Sequence, residues 1–180
     1  MKNQNKIKIA ITGSSGVLGR YFINKYKKNF FFYKFKGDLT KRHDLNKWLQ
    51  NIDPQIFLHF AAVVPLKVVE NKIKYSKKVN VDSVSNILKI LKQKKSIEWF
   101  FFSSTSHVYK KSIKKINEFS KLAPTSEYGS QKLKAEYKIL NNQKKNDLKV
   151  CIGRIFSYTN HDQDKSFLIP SLSKKIASHK

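Results

Sequence analysis

The stretch AITGSSGVLGRYF, residues 10–22, places glycines at 13, 16 and 19 directly after an apolar run. IKIAIT (7–12) has the β-branched character of a short strand, and GVLGRYFINKYKK (16–28) carries apolar residues at helical spacing. Strand, glycine turn and helix in this order suit a phosphate cradle. Gly13 would permit the tight turn, Gly16 the close approach of a pyrophosphate, and Gly19 close helix–strand packing. The free N–H groups of the helix start would then face the phosphates. Arg20-Tyr21 stands where a P-loop needs Lys followed by Ser or Thr, so that class is excluded. Three glycines alone fit an ordinary turn equally well. The rest of the chain has to decide.

Further along, FFFYKF (30–35) reads as a second strand and LTKRHDLNKWLQ (39–50) as a helix. QIFLHFAAVV (55–64) reads as a third strand, wholly apolar and ending in small residues. VNVDSVSNILKILKQ (79–93) is expected to be a helix with Val81, Val84, Ile87, Leu88 and Leu91 on one face. IEWFFFSS (97–104) reads as a strand, SEYGSQKLKAEYKIL (126–140) as a helix and LKVCIGRIF (148–156) as a strand. Segment 109–123 is polar and expected to be loop, and NNQKKND (141–147) a surface turn. Strands alternating with helices predict an α/β fold: a Rossmann-like, doubly wound parallel sheet with helices on both faces.

At 180 residues the chain suits one domain, and 40% hydrophobic residues with 13% aromatic suit a packed core. A lone cysteine, Cys151, excludes an internal disulfide framework. Lys8 interrupts the short apolar start, which is therefore no secretory signal, and no apolar run reaches the ~20 residues of a membrane helix. A soluble, cytoplasmic protein without membrane association is the expectation. The net charge of +25 raises nucleic acid as a partner. Only Arg20, Arg42 and Arg154 are arginine among 37 basic residues, leaving 34 lysines scattered along the chain. Base reading favours the bidentate guanidinium, so nucleic acid is disfavoured, while steering of an anionic nucleotide remains. The five histidines show no ligand spacing, and no metal is expected.

TGSSGVLG (12–19) resembles the TGxxGxxG fingerprint of the extended short-chain dehydrogenase/reductases, NAD(P)-dependent epimerases, dehydratases and reductases of nucleotide sugars. Other segments follow in family order. GDLT (37–40) resembles the Asp-hydrophobic pair that meets the adenine, and HFAAVV (59–64) the segment beside the cofactor. Asn80 falls where the family has a structural asparagine. FFFSSTSHVY (100–109) resembles the strand carrying the catalytic Ser/Thr. PTSEYGSQKLKAE (124–136) resembles P-x-S-x-Y-G-x-S-K-x-x-x-E, and GRIFSYTN (153–160) with SFLIPSLSKKI (166–176) the approach to the substrate lobe. With 34 lysines, about one tyrosine in five has a lysine four places on by chance, and Tyr21/Lys25 matches as well as Tyr128/Lys132. Only the second pair follows a Pro-bearing loop and a strand ending in Ser-Ser-Thr.

The resemblance implies a catalytic set of Thr105, Tyr128 and Lys132. Tyr128 would act as acid/base, its phenol moved toward neutral pH by the Lys132 ammonium together with the positive nicotinamide of the oxidised cofactor. Lys132 would also hold the ribose, and Thr105 would donate to the sugar oxygen. It further implies cofactor contacts from Gly13, Ser15, Gly16, Val17, Leu18, Gly19, Asp38, Leu39, Ala61, Ala62, Val63, Lys132 and Phe156, and substrate contacts from Thr105, Ser106 and His107. Lys34 and Lys36 stand where many relatives carry a ribose-binding acid, tilting the cofactor from NAD toward NADP. The family's dehydratases follow the threonine with Asp-Glu; Thr105-Ser106-His107 argues against dehydration. Carbonyl reduction of a nucleotide keto-sugar is the first expectation and 4-epimerisation the second. A catalytically silent cofactor-sensing or nucleic-acid-binding domain is the rival. Residues 1–180 would form the NAD(P)-binding domain, with the family's C-terminal substrate lobe largely absent by fragmentation or natural truncation. Oligomeric state stays open, a homodimer being one option.

Overall fold

The computed structural model describes residues 6–64, 66–143, 148–160, 163–165 and 167–178. Five strands, β1 (Lys8–Thr12), β2 (Phe31–Lys34), β3 (Ile56–His59), β4 (Trp99–Thr105) and β5 (Lys149–Ile155), form one sheet in the order β2-β1-β3-β4-β5. Every pairing is parallel. Parallel neighbours need long crossovers. These are α1 (Val17–Tyr26), α2 (Arg42–Gln50), a composite helix and α6 (Glu127–Gln143). The composite helix comprises α3 (Leu66–Asn71), α4 (Ile73–Lys77), a π-helical turn (Lys78–Asp82) and α5 (Ser83–Leu91). The expected doubly wound α/β fold is what the chain adopts.

Alternation along the strands divides the core. Ala10, Phe57, Phe100 and Phe102 face α2, α5 and α6, where Leu45, Leu49, Val84, Ile87, Ala135 and Ile139 meet them with no exposed surface. Ile9, Ile11 and Leu58 face the other way, against Ile23 of α1 and a rim of Phe22, Phe32, Phe60 and Phe101. Burying a large apolar side chain contributes about 1.5–3 kcal/mol, so the three wholly buried phenylalanines anchor the first face. Val81, Val84, Ile87, Leu88 and Leu91 are all buried, as their spacing predicts.

Three boundaries differ from expectation. The third strand ends at His59: Phe60 N–H gives Thr12 O a last bond at 3.2 Å, and Val63 then bonds the Asn80 side chain instead of a strand. Helices α3 and α4 occupy a stretch whose pattern predicts nothing, because lysines crowd it and only Val69 and Ser76 are buried there. The α6 helix continues through Gln143, into the expected surface turn; residues 144–147 of that turn, like 1–5 and Ser166, lie outside the described residues. A last helix, α7 (Leu168–Ala177), has no buried residue. Among the described residues no helix is long and apolar enough to cross a membrane.

Candidate active site

In this strand order the chain leaves β1 for β2 on one side and returns to β3 on the other. Such a switch point opens a crevice at the carboxyl ends of the strands, where ligands of open α/β sheets bind. The glycine turn lies there. Gly13 has φ +72°, and a Cβ on it would stand 2.5 Å from Ala61 N. A Cβ on Gly19 would collide with the Gly13 carbonyl, so α1 seats directly on the turn. Gly16 differs. It is exposed, it is the N-cap of α1, and a Cβ there would meet only Gly13 O, at an ordinary 3.4 Å. The chain itself needs no glycine at 16, which leaves room beside the helix start. That fits a pyrophosphate against the helix N-terminus.

The remaining expected cofactor residues are spread around this turn. Ser15 is exposed, with Val17 and Leu18 half-buried, and Arg20 donates to Ser15 O at 2.5 Å. Ala61, Ala62 and Val63 are half-buried in the loop after β3. Leu39 packs against the main core. The Asp38 carboxylate is turned onto its own loop, accepting from Thr40 N and Oγ1 at 2.8 Å each, which also holds its pKa below the usual range. Phe156 stands next to the partner of Thr105, since Ile155 pairs with Thr105 across β4 and β5. It follows the edge strand β5, 54% exposed, with its ring 6.4 Å from that of Tyr109. A cavity of about 470 Å³ opens beside it, lined by Tyr109, Glu118 and Arg154 among others, and does not reach Tyr128.

Thr105, Tyr128 and Lys132 are all buried where β4 meets α6. Thr105 ends its strand, and its Oγ1 accepts from His107 N at 3.3 Å, capping the 3₁₀ turn at 106–108. It also faces the Tyr128 phenol closely enough to pull its pKa down. The His107 ring stands edge-on to Tyr128 at 6.0 Å, exposed beside the half-buried Ser106. Gly129 lets α6 approach this turn, since a Cβ there would strike the His107 carbonyl.

Burial sets the electrostatics of the pair Tyr128 and Lys132. Burial pushes the Tyr128 phenol up to about 12, with a smaller push from Tyr158, and Thr105 only partly opposes this. The Lys132 ammonium does not lower it. Lys132 is itself 1% exposed, with Nζ 4.2 Å from the Phe102 ring centre. Burial pulls its pKa down to about 7 against the upward pull of Glu136. The decoy pair behaves oppositely: Tyr21 is exposed and Lys25 Nζ sits 3.4 Å from its hydroxyl.

Two residues that fall within the quoted motifs but were given no role lie against the same strand ends. His59 is buried between Thr12, whose Oγ1 lies 2.7 Å from its Nδ1, and the Phe102 ring stacked at 5.7 Å. Burial holds it neutral, its pKa near 3, with Nε2 lacking a partner. Glu136, one turn after Lys132, accepts from Ser104 and is gripped by Arg154 at 2.8 Å. Its helical spacing from Lys132 was the available signal. Gln131 stands where the family pattern has serine. Among the described residues no cluster of His, Cys, Asp or Glu could hold a metal.

Comparison with known proteins agrees with this geometry. Residues 12–180 match the model of the GDP-mannose 4,6 dehydratase family. The UDP-glucose 4-epimerase of Mycoplasma genitalium is 29% identical over 186 residues, covering 97% of this chain and 54% of that protein. RMD from Pseudomonas aeruginosa, solved with NADPH, superimposes with TM-score 0.85 at 22% identity, over 97% of this chain and 62% of that one. MoeE5, solved with UDP-glucose and NAD, gives 0.80 at 22% identity, over 92% and 59%. The chain thus spans between half and two thirds of these relatives' length. A family model matched from the glycine turn to the last residue, on a sheet of the same fold, places the chain in the GDP-mannose 4,6 dehydratase family of extended short-chain dehydrogenase/reductases.

Proposed function

We propose that this chain binds a nicotinamide dinucleotide and serves hydride transfer at a sugar carbon of a nucleotide-activated sugar, as an NAD(P)-dependent reductase or epimerase. The observation that carries this is the convergence of Thr105, Tyr128 and Lys132 on one strand end, beside a glycine turn with room at Gly16 that the chain does not use. Residues 1–180 are read as the dinucleotide-binding domain.

When bound, the dinucleotide supplies the hydride donor or acceptor. Gly13, Gly16 and the first turn of α1 would hold its pyrophosphate, with Ala61 to Val63 along its flank. The exposed Lys34 and Lys36 at the end of β2 favour a 2′-phosphate, hence NADP. Thr105, at the strand end beside Tyr128, would orient the sugar oxygen toward the phenol. A phenol raised to about 12 is fully protonated at neutral pH, the form that delivers a proton to an oxygen gaining charge. Lys132, one helical turn beyond Tyr128, would hold the ribose hydroxyls.

The test combines dinucleotide titration with oxidation of NADPH over a panel of nucleotide keto-sugars. Tyr128→Phe is expected to lose roughly 10²–10⁴-fold in turnover with dinucleotide affinity nearly unchanged. Tyr21→Phe is expected to behave as wild type. Full turnover in Tyr128→Phe would remove the assignment.

A further inference from the structure

Gln131 has no exposed surface, and its side chain crosses from α6 to the composite helix. Its Oε1 accepts from Asn80 Nδ2 at 2.9 Å, and its Nε2 donates to Ser76 Oγ at 3.0 Å and Glu127 Oε1 at 3.1 Å. Both N–H groups of the amide are thereby used. Ser76 and Asn80 bracket the entry to the π-helical turn at Lys78–Asp82, a distortion that proteins use to re-aim side chains at functional sites. The Asn80 amide is aimed at the loop after β3: it accepts from Val63 N at 2.8 Å and donates to Val63 O at 3.1 Å. Two residues earlier, Ala61 abuts Gly13. An unbroken series of contacts therefore joins the glycine turn, the loop, Asn80 and Gln131 to the helix that carries Tyr128 and Lys132.

We propose that Gln131 is a positioning residue: it locks the loop at 60–64 and the catalytic helix in one register, so that dinucleotide binding and the placement of Tyr128 and Lys132 are coupled through Asn80. This rests on the dinucleotide reading above. The serine of the family pattern cannot make the same joint. Its hydroxyl ends two bonds short of the glutamine amide and has one donor, against the two that Ser76 and Glu127 engage. Buried amide networks of this kind are worth most when every member is satisfied, because one broken link leaves its partners buried and unpaired.

Two measurements on the chain test it. The first is hydrogen exchange at the Val63 amide without dinucleotide. Gln131→Met, of similar length but without donor or acceptor, is expected to speed that exchange although Gln131 never touches Val63. Gln131→Ser, the residue of the family pattern, cannot reach Asn80 and is expected to speed that exchange likewise; it serves should Gln131→Met fail to fold. The second is titration with NADPH and NADH. Gln131→Met and Asn80→Ala are each expected to weaken binding roughly tenfold, as for one lost buried hydrogen-bond link, and the double variant no further. Additive losses would overturn the coupling. A wild type that binds while Gln131→Met keeps both its affinity and its Val63 protection would overturn the role of Gln131 alone. A wild type that binds neither dinucleotide would overturn the functional reading and this one with it.

Discussion

Lys132 and Phe102 are stacked, Nζ 4.2 Å from the ring centre, in a site from which water is excluded. Burial there lowers the lysine to about 7 from 10.5. Between those values the unfolded chain holds a proton that the native chain has released. Native stability therefore rises with pH across that window, and the deficit is complete below pH 7. Tyr128 acts in the opposite sense further up: raised from 10.0 to about 12, it costs stability as pH climbs between those values. Comparing the urea midpoints of wild type and Lys132→Met from pH 7 to 10 isolates the lysine. The wild type is expected to gain on the variant as pH rises. A constant difference would mean that Nζ keeps its charge in the native state.

The three glycines make separable demands. Gly13 has positive φ and lies against the Ala61 backbone, and Gly19 lies against the Gly13 carbonyl. Gly13→Ala and Gly19→Ala are therefore expected to lower the thermal midpoint by several degrees or prevent folding, since backbone atoms cannot yield as a flexible side chain does. Gly16→Ala is expected to melt as wild type and to lose dinucleotide affinity. Calorimetric melting beside NADPH titration separates the two classes. Unaltered affinity in Gly16→Ala would show that the cradle lies elsewhere.

The parallel sheet, its helices and the glycine turn were legible because each rests on local periodicity or on a backbone requirement. Tyr128 with Lys132, and Thr105 at its strand end, were legible only through motif order. The histidine–phenylalanine–lysine stack was not. His59, Phe102 and Lys132 lie 43 and 30 residues apart along the chain and meet only because β3 and β4 are neighbours with His59 opposite Phe102. The raised pKa of Tyr128 was illegible for the same reason. Spacing puts the ammonium on the correct helix face, but burial, which acts on both groups, is a tertiary quantity. Helices α3 and α4 escaped because lysine masks a periodicity that only Val69 and Ser76 express. Gln131 was visible as a letter, and its function required Asn80, 51 residues away.

The ion pair between Arg154 and Glu136 yields the last prediction. Glu136 is 1% exposed on α6, and Arg154 on β5 bonds it from Nε at 3.2 Å to each oxygen and from a terminal nitrogen at 2.8 Å. The same guanidinium donates to Tyr109 OH at 3.1 Å and Glu118 O at 3.0 Å, so it also fastens the loop at 109–123. Glu136 holds the Arg154 pKa above its ordinary value, so the arginine is charged throughout. Arg154→Met would leave the carboxylate buried with Ser104 as its remaining bonded partner, a loss of about 3–5 kcal/mol for a broken buried pair. Arg154→Lys is expected to recover little, because an ammonium lacks the planar fork that holds carboxylate and carbonyl together. Adding Glu136→Gln to Arg154→Met removes the stranded charge and is expected to restore much of the lost stability. The loop, still unfastened, should remain open to protease in both the single and the double variant. Urea denaturation and limited proteolysis of the four chains check this. If the double variant is no more stable than Arg154→Met, the damage comes from lost loop contacts and not from the buried carboxylate.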